Sequence, residues 1–540
     1  MRFQEELKCK SREQIWNEYC GYLDLSLPDY MYVQHHLLAE QLKLWSESRL
    51  GQTMLHGQKP KNSEELRHML PLTSYRDYAP FLLPKPSDGL PGEPIIWIQT
   101  TWEGGLRPIK VAPYTRSMLD TYRHHLVTLS ILGCSRKKGD IRVKKGDRIL
   151  YGGAPLPYAT GLMPSLLSET IAYDWLPDPN ETKDESFSQR IRDGFSLGMQ
   201  GGIDYFFGVG SVAHYITENF IRTLSGGHSS GGSKTKVSPR LALRYLRAKS
   251  ISKRDKRPIL PKDLFHLKAF FYTGPDSRCY TRDLSEAWGT VPLEIAAGTE
   301  STCIACETWE HNGMVFFPDA CFYEFIPESE LERCRFDPSY TPRTCLMDGV
   351  ETGRNYELVI SVLHGGAFMR YRIGDVYRCV SAGGNSLPRF IFNDRAPSVI
   401  DIASFTRITE AGVKEVIELS GADMGDWLMK KEYNSQNRPF LHMYAEVSPR
   451  ALRKSAVQAE ILADHLAAYF RYFDSDYSDL KKMLGMEPLQ ITLLKPGLIA
   501  AYQAKTGVTL PKINPGVLDI NEMLQFEKAY TFRDEEVVAP

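Results

Sequence analysis

An α/β architecture, with a large N-terminal domain of β-sheets flanked by helices and a small α+β C-terminal domain, follows from three features of this sequence. Its 540 residues exceed what one hydrophobic core supports, so two domains are expected. Short apolar runs bounded by glycine and proline alternate with helical stretches, the pattern of strands buried in a sheet. After Asn393–Pro397 the texture restarts, which places the boundary between residues 1–395 and 396–540.

Residues 1–90 read as a helical lead-in, clearest from Gln34 to Ser48, where Leu37, Leu38, Leu42 and Trp45 recur at helical spacing. Strands are expected at Ile95–Ile98, Leu267–Phe271, Pro292–Ile295, Tyr356–Ile360 and Pro388–Phe392. Past the boundary, Ala459–Phe470 reads as an amphipathic helix with Ile461, Leu462, His465, Leu466 and Tyr469 on its inner face. A strand, Leu489–Leu494, and a helix after Pro496-Gly497 complete the small domain.

With 42% hydrophobic and 24% charged residues the composition is globular, and a formal net charge of -1 gives no global attraction to nucleic acid or anionic membranes. No apolar run approaches the roughly 20 residues that cross a bilayer, and Met1-Arg2-Phe3-Gln4-Glu5-Glu6 lacks a secretory core; a cytoplasmic protein is the simplest expectation. The 10 cysteines are scattered, which favours reduced thiols, and the pair Cys303 and Cys306 reads as small core residues rather than a metal site. Gly226–Gly232 is expected to be a flexible loop. The basic stretch Lys234–Arg257, with Leu241, Leu243 and Leu246 interleaved, reads as a solvated helix face, with a patch for an anionic co-substrate such as coenzyme A as the functional alternative.

Three segments carry chemistry. Tyr371-Arg372-Ile373-Gly374-Asp375 is read as closing a strand-like run, so that Asp375 accepts the hydroxyls of a ribose while Gly374 allows close backbone approach. Arg395 follows as a second ribose or phosphate contact. Gly298-Thr299-Glu300 succeeds a strand, with Thr299 placed to donate to a phosphate and Glu300 to hold a magnesium ion. Thr100-Thr101-Trp102-Glu103-Gly104-Gly105, ending in Lys110, is read as a glycine-containing loop leaving a strand, able to cradle phosphate oxygens. It lacks the P-loop spacing.

The order of these segments, with Phe322-Tyr323-Glu324-Phe325-Ile326-Pro327, Glu357-Leu358-Val359-Ile360, Pro71-Leu72-Thr73-Ser74-Tyr75-Arg76-Asp77-Tyr78 and Leu260-Pro261-Lys262-Asp263-Leu264, resembles the adenylate-forming superfamily. Within it the sequence is most similar to the plant auxin and jasmonate acyl-acid amido synthetases of the Gretchen Hagen type and their microbial relatives. The resemblance implies a mobile C-terminal domain and an ATP- and Mg2+-dependent ligase. Such an enzyme activates a small organic or fatty carboxylic acid as acyl-adenylate and passes it to an amino acid or to a thiol such as coenzyme A. It places Thr100, Thr101, Gly104, Gly105 and Lys110 in the phosphate loop, Gly298, Thr299 and Glu300 on phosphate and magnesium, and Tyr371, Asp375 and Arg395 around the ribose. Trp102, Phe206, Phe207, Gly274 and Asp276 are assigned to the acyl and adenine side, and Lys512 and Lys505 stand in for a catalytic C-terminal lysine.

The sequence departs from that pattern at Trp102 and Glu103 in the loop, at Ala296 where an adenine-stacking tyrosine is expected, and at Thr509 in the lysine position. Repulsion between Glu103 and ATP oxygens opposes binding unless magnesium or Lys110 intervenes. The alternative reading is therefore a catalytically weakened relative that binds a nucleotide or acyl ligand in a non-enzymatic role.

Overall fold

The computed structural model describes residues 3–102, 107–224, 237–337, 339–395, 399–402, 406–449, 459–473 and 475–532. The chain forms two compact units: Met1–Thr100 with Ile109–Asp394, and Thr101–Pro108 with Arg395–Pro540.

In the first unit the lead-in is helical as expected, and its longest helix runs from Leu27 to Glu47 behind a Ser26 cap and a proline in the first turn. Leu38, Leu42 and Trp45 are buried, each leucine worth about 1.5–3 kcal/mol of burial. The same face also carries amides that the apolar stripe did not reveal. Gln34 donates to the Cys321 carbonyl (2.8 Å) and accepts from Tyr323 N–H (3.1 Å). Gln41 donates to the Gly366 carbonyl (2.9 Å) and accepts from Gly365 N–H (2.7 Å). Polar side chains on the inner face thus satisfy backbone groups at Cys321, Tyr323, Gly365 and Gly366 that would otherwise be buried unpaired.

A hairpin of β1 (Ile96–Trp102) and β2 (Arg107–Tyr114) follows. The main sheet contains β3 (Arg148–Gly152), β4 (Asp174–Leu176), β5 (Tyr205–Val209), β6 (Ala269–Thr273), β7 (Leu293–Gly298), β8 (Thr302–Cys306) and β9 (Val315–Phe316). Its order is β4-β3-β5-β6-β7-β8-β9. The pairs from β4 through β7 are parallel, and β8 and β9 add antiparallel. Cys303 and Cys306 are buried in β8, and all ten cysteines are free thiols.

A second sheet runs β10 (Cys321–Pro327), β11 (Asn355–Val362), β12 (Tyr371–Gly383) and β13 (Ser386–Arg395), in that order. Its first three strands each hide a charge problem. Glu324, in the middle of β10, is 1% exposed and is gripped by Arg370 through Nε (3.0 Å) and Nη2 (2.9 Å). Arg370 also donates to the carbonyls of Leu70 (2.6 Å) and Arg67 (3.1 Å). These bonds hold Arg370 at φ +48°, a left-handed conformation costly for a residue with a side chain, immediately before β12.

The second unit is built on β14 (Ile400–Ile402), β15 (Thr406–Ile408), β16 (Met424–Tyr433), β17 (Pro439–Val447) and β18 (Leu489–Leu494). The last three form one sheet, with β16 and β17 antiparallel and β17 and β18 parallel. Side chains alternate between two cores: Met429, Leu441, Met443, Leu466 and Phe470 form one, and Leu428, Tyr444, Leu494, Leu498 and Ile520 the other. The helix Ala459–Phe473 keeps Leu462, Leu466 and Tyr469 of its expected face against the core, but not Ile461 and His465. Ile461 is 61% exposed and the buried set is Ala463, Leu466, Ala467 and Phe470; His465 lies on the surface and bonds the Ser420 carbonyl at 3.0 Å. The small residues Ala463 and Ala467 let this helix approach the sheet closely, and an apolar count that favours large side chains passes over them.

The Arg370–Glu324 pair yields a stability test. Arg370→Ala leaves the buried Glu324 with only the longer Arg67 contact at 3.6 Å and is expected to cost about 3 kcal/mol. Replacing both partners by Met and Gln should cost less than the single change. Urea unfolding of the single and double variants measures the difference, and equal losses would contradict a charge-pair origin.

Candidate functional site

β7 ends in a tight turn. Gly298 pairs with Thr302 across it, leaving Thr299, Glu300 and Ser301 as the connection to β8. A Cβ on Gly298 would lie 3.1 Å from Ser301 Oγ and 3.2 Å from Ile373 Cδ1, so glycine lets this turn and the start of β12 close together. Glu300 is 6% exposed. Its Oε1 accepts from Tyr371 Oη at 2.8 Å and from Lys110 Nζ at 3.2 Å, and the lysine and the phenol are 3.1 Å apart. Three segments remote in sequence therefore meet on one carboxylate. Tyr114 adds a bond from its hydroxyl to the Thr299 carbonyl at 2.9 Å, on a phenol that burial holds well above its ordinary pKa.

The Pro71–Tyr78 segment fixes this meeting point. Thr73 N–H donates to the Arg370 carbonyl and the Thr73 carbonyl accepts from Arg372 N–H, both at 2.9 Å, a one-residue parallel bridge beside Tyr371. Tyr78 Oη donates to the Met369 carbonyl and accepts from Met369 N–H, each at 2.8 Å. Tyr75 bonds both backbone groups of Val111, at 2.6 and 3.1 Å, and its ring centroid lies 5.5 Å from Lys110 Nζ, a cation–π contact. Burial, with Glu300 adding, pushes the Tyr75 phenol up to about 12.

Tyr371–Asp375 does not close a strand; it opens β12. Val359 pairs with Arg372 and Glu357 with Val376, so Leu358 alone opposes Ile373, Gly374 and Asp375. This is a β-bulge, a device that re-aims side chains beside functional sites. Gly374 takes φ +82° within it, which glycine tolerates. The bulge is bridged by Glu357, 1% exposed, whose two oxygens accept from Arg372 at 2.7 and 2.6 Å. Asp375 sits at the far side of the bulge, 8% exposed.

Thr100, Thr101 and Trp102 belong to β1 and Lys110 to β2, so the expected loop is a hairpin whose arms are strand. Glu103, Gly104 and Gly105 fall outside the described residues, as does Gly226–Gly232. Phe206 and Phe207 lie in β5, where Phe206 stacks on Phe270 at 4.6 Å and Phe207 on Tyr151 at 5.1 Å; both pack the interior of the sheet. Gly274 (φ +92°) and Asp276 (φ +63°) shape the turn after β6. Ser277 there accepts from Gly210 N–H at 3.2 Å, bringing together the carboxyl ends of β5 and β6, the edge where parallel sheets bind ligands.

In the second unit, Arg395 Nε is 3.3 Å and Arg407 Nε 3.4 Å from the buried carboxylate of Asp401. Lys512 is paired with Asp426, Lys505 lies 4.6 Å from the Phe526 ring centroid, and Thr509 is exposed. Among the described residues no group of three or more His, Cys, Asp or Glu is placed to hold a metal, and no helix is long and apolar enough to cross a membrane.

Residues 314–395, which contain β10 to β13, match the GH3 family central domain. No curated protein matches the chain by sequence. Among solved structures the chain is similar to AtGH3.15 acyl acid amido synthetase in complex with 2,4-DB, at 15% identity over 93% of this chain and 94% of that one, with a TM-score of 0.52. A second is 2-hydroxyisobutyryl-CoA ligase in complex with 2-HIB-AMP and CoA, at 14% identity over 87% and 88% of the two chains, with a TM-score of 0.54. The chain has the fold of these ligases, and the GH3 segment carries the Tyr371–Asp375 bulge.

Lys110→Met removes the ammonium that sits 3.2 Å from Glu300 and is expected to destabilise by about 3 kcal/mol. Tyr371→Phe removes one donor and is expected to cost about 1–3 kcal/mol. Denaturant unfolding of both variants and their double mutant should reveal non-additive losses; strict additivity would contradict a shared carboxylate.

Proposed function

We propose that the protein is an acyl-adenylate-forming ligase. It takes ATP with Mg2+ and a small organic or fatty carboxylic acid, and transfers the acyl group to an amine, such as an amino acid, or to a thiol. The observation that carries this reading is the convergence of Lys110, Glu300 and Tyr371 on one carboxylate beside a bulge bearing Asp375.

The chemistry runs in two steps. A carboxylate oxygen of the acid attacks the α-phosphorus of ATP, forming an acyl–phosphate bond as the bond to pyrophosphate breaks. The acceptor amine or thiol then attacks the acyl carbon, loses its proton, and AMP leaves. Asp375 accepts the ribose hydroxyls. Glu300 would hold the magnesium ion that accompanies ATP, which would neutralise phosphate charge there. Lys110, which contacts Glu300 and Tyr371, would then be available to phosphate oxygens without leaving the Glu300 charge buried alone. Thr299, Thr100 and Thr101, with Gly104 and Gly105 of the same sequence segment, complete the phosphate contacts.

A second reading is favoured by one observation: Lys512 is held by Asp426, and an exposed threonine occupies the expected lysine position. On that reading the chain binds a nucleotide or acyl ligand without turning it over.

ATP–pyrophosphate exchange across a panel of carboxylic acids separates the two. The ligase predicts exchange stimulated by at least one acid and lost by about 100-fold or more in Glu300→Ala, with Asp375→Ala also abolishing it. ATP binding that depends on Asp375, with no exchange for any acid, would support the second reading and overturn the first.

A further inference from the structure

The helix Pro239–Asp255 carries both apolar and cationic side chains on its exposed face. Its inner face is fixed: Leu241 and Ala248 are buried, Arg244 donates to the Leu264 carbonyl at 2.8 Å and Tyr245 to the Leu224 carbonyl at 3.3 Å. The outer face carries two leucines in water, Leu243 at 53% and Leu246 at 64% exposure. With 3.6 residues per turn these leucines and Ser250 form the crest. Arg240 and Arg247, exposed and seven residues apart, line one flank, which Arg254 extends while paired with Asp255 at 2.7 Å, and Lys249 and Lys253, also exposed, line the other.

We propose that this face docks on an anionic phospholipid surface. An apolar crest between two cationic flanks matches the headgroup boundary, where leucines enter the acyl region and lysine and arginine meet phosphates and carboxylates. A nucleic acid would meet the flanks but leave both leucines against a charged backbone. A convex crest has no walls to enclose a nucleotide-bearing thiol such as coenzyme A. The protein's net charge of -1 does not oppose docking, because attraction acts within about 8–10 Å of the surface at physiological salt. The surface is independent of the ligase reading, since none of its residues belongs to the Lys110–Glu300–Tyr371 site.

Cosedimentation of the full chain with vesicles of phosphatidylcholine, with and without phosphatidylserine, tests this. Binding is expected only with phosphatidylserine, weakening as salt rises. Reversing two flank charges, Arg247→Glu with Arg254→Glu, should weaken it about 10-fold or more. Replacing the crest, Leu243→Ser with Leu246→Ser, should weaken it about 10-fold. Circular dichroism and acid-dependent pyrophosphate exchange check that both variants keep the fold and the first unit's site. Absence of phosphatidylserine-dependent binding overturns the proposal. So does full retention of binding in the leucine variant, or tighter binding to duplex DNA that ignores the leucines, because either would make the face a general polyanion surface.

Discussion

Everything at the candidate site depends on how a buried carboxylate is kept satisfied. Glu300 lies at the end of a parallel strand with little access to water, and an ionised carboxylate there is tolerated only with a cation and donors in contact. Lys110 supplies the charge and Tyr371 the hydroxyl. These two residues come from the β1–β2 hairpin and from β12, so satisfying one side chain fixes the relative placement of three elements. Tyr75 and Thr73 extend the constraint to the helical lead-in, which explains why a segment outside either sheet belongs to the site.

The same logic recurs along the sheets. Glu294, Glu324 and Glu357 each sit within an apolar strand, and each meets an arginine: Arg278 at 2.7 Å, Arg370 at 2.9 Å and Arg372 at 2.6 Å. The last two pairs flank Tyr371 on the entry to β12. One holds Arg370 in a left-handed conformation and the other spans the bulge. Strain and irregularity gather where Asp375 is presented, and buried charge pairs hold them in place.

Much of this was legible in the sequence, and the reasons differ by element. The strands at Leu293 and Leu489, and the helix after Gly497, declare themselves through apolar runs and punctuation by glycine and proline. The segments bearing Lys110, Glu300 and Tyr371 stood out by residue type. What their order could not convey was contact, because pairing between distant strands is decided by register rather than by local pattern. The bulge was invisible for the same reason: Gly374 hints at it, but the missing partners belong to β11. In the sequence the glycines Gly104 and Gly105 suggest a loop and outweigh the strand character of Ile96–Trp102 and Arg107–Tyr114. A lone glutamate inside each of three apolar strands, Glu294, Glu324 and Glu357, announces a buried cation partner. The amides of Gln34 and Gln41 left no such mark, since a glutamine on an otherwise apolar helix face looks the same whether it is buried or solvated.

The central claim is that the Lys110–Glu300–Tyr371 cluster is the resting form of a nucleotide site, held closed by a lysine that the metal-bound nucleotide displaces. A crystal structure with a non-hydrolysable ATP analogue and Mg2+ tests it most directly. The account predicts the ribose hydroxyls on Asp375, the metal on Glu300, and Lys110 moved from Glu300 to a phosphate oxygen. A nucleotide bound elsewhere, or bound with the Lys110–Glu300 pair intact and no metal on Glu300, would contradict it.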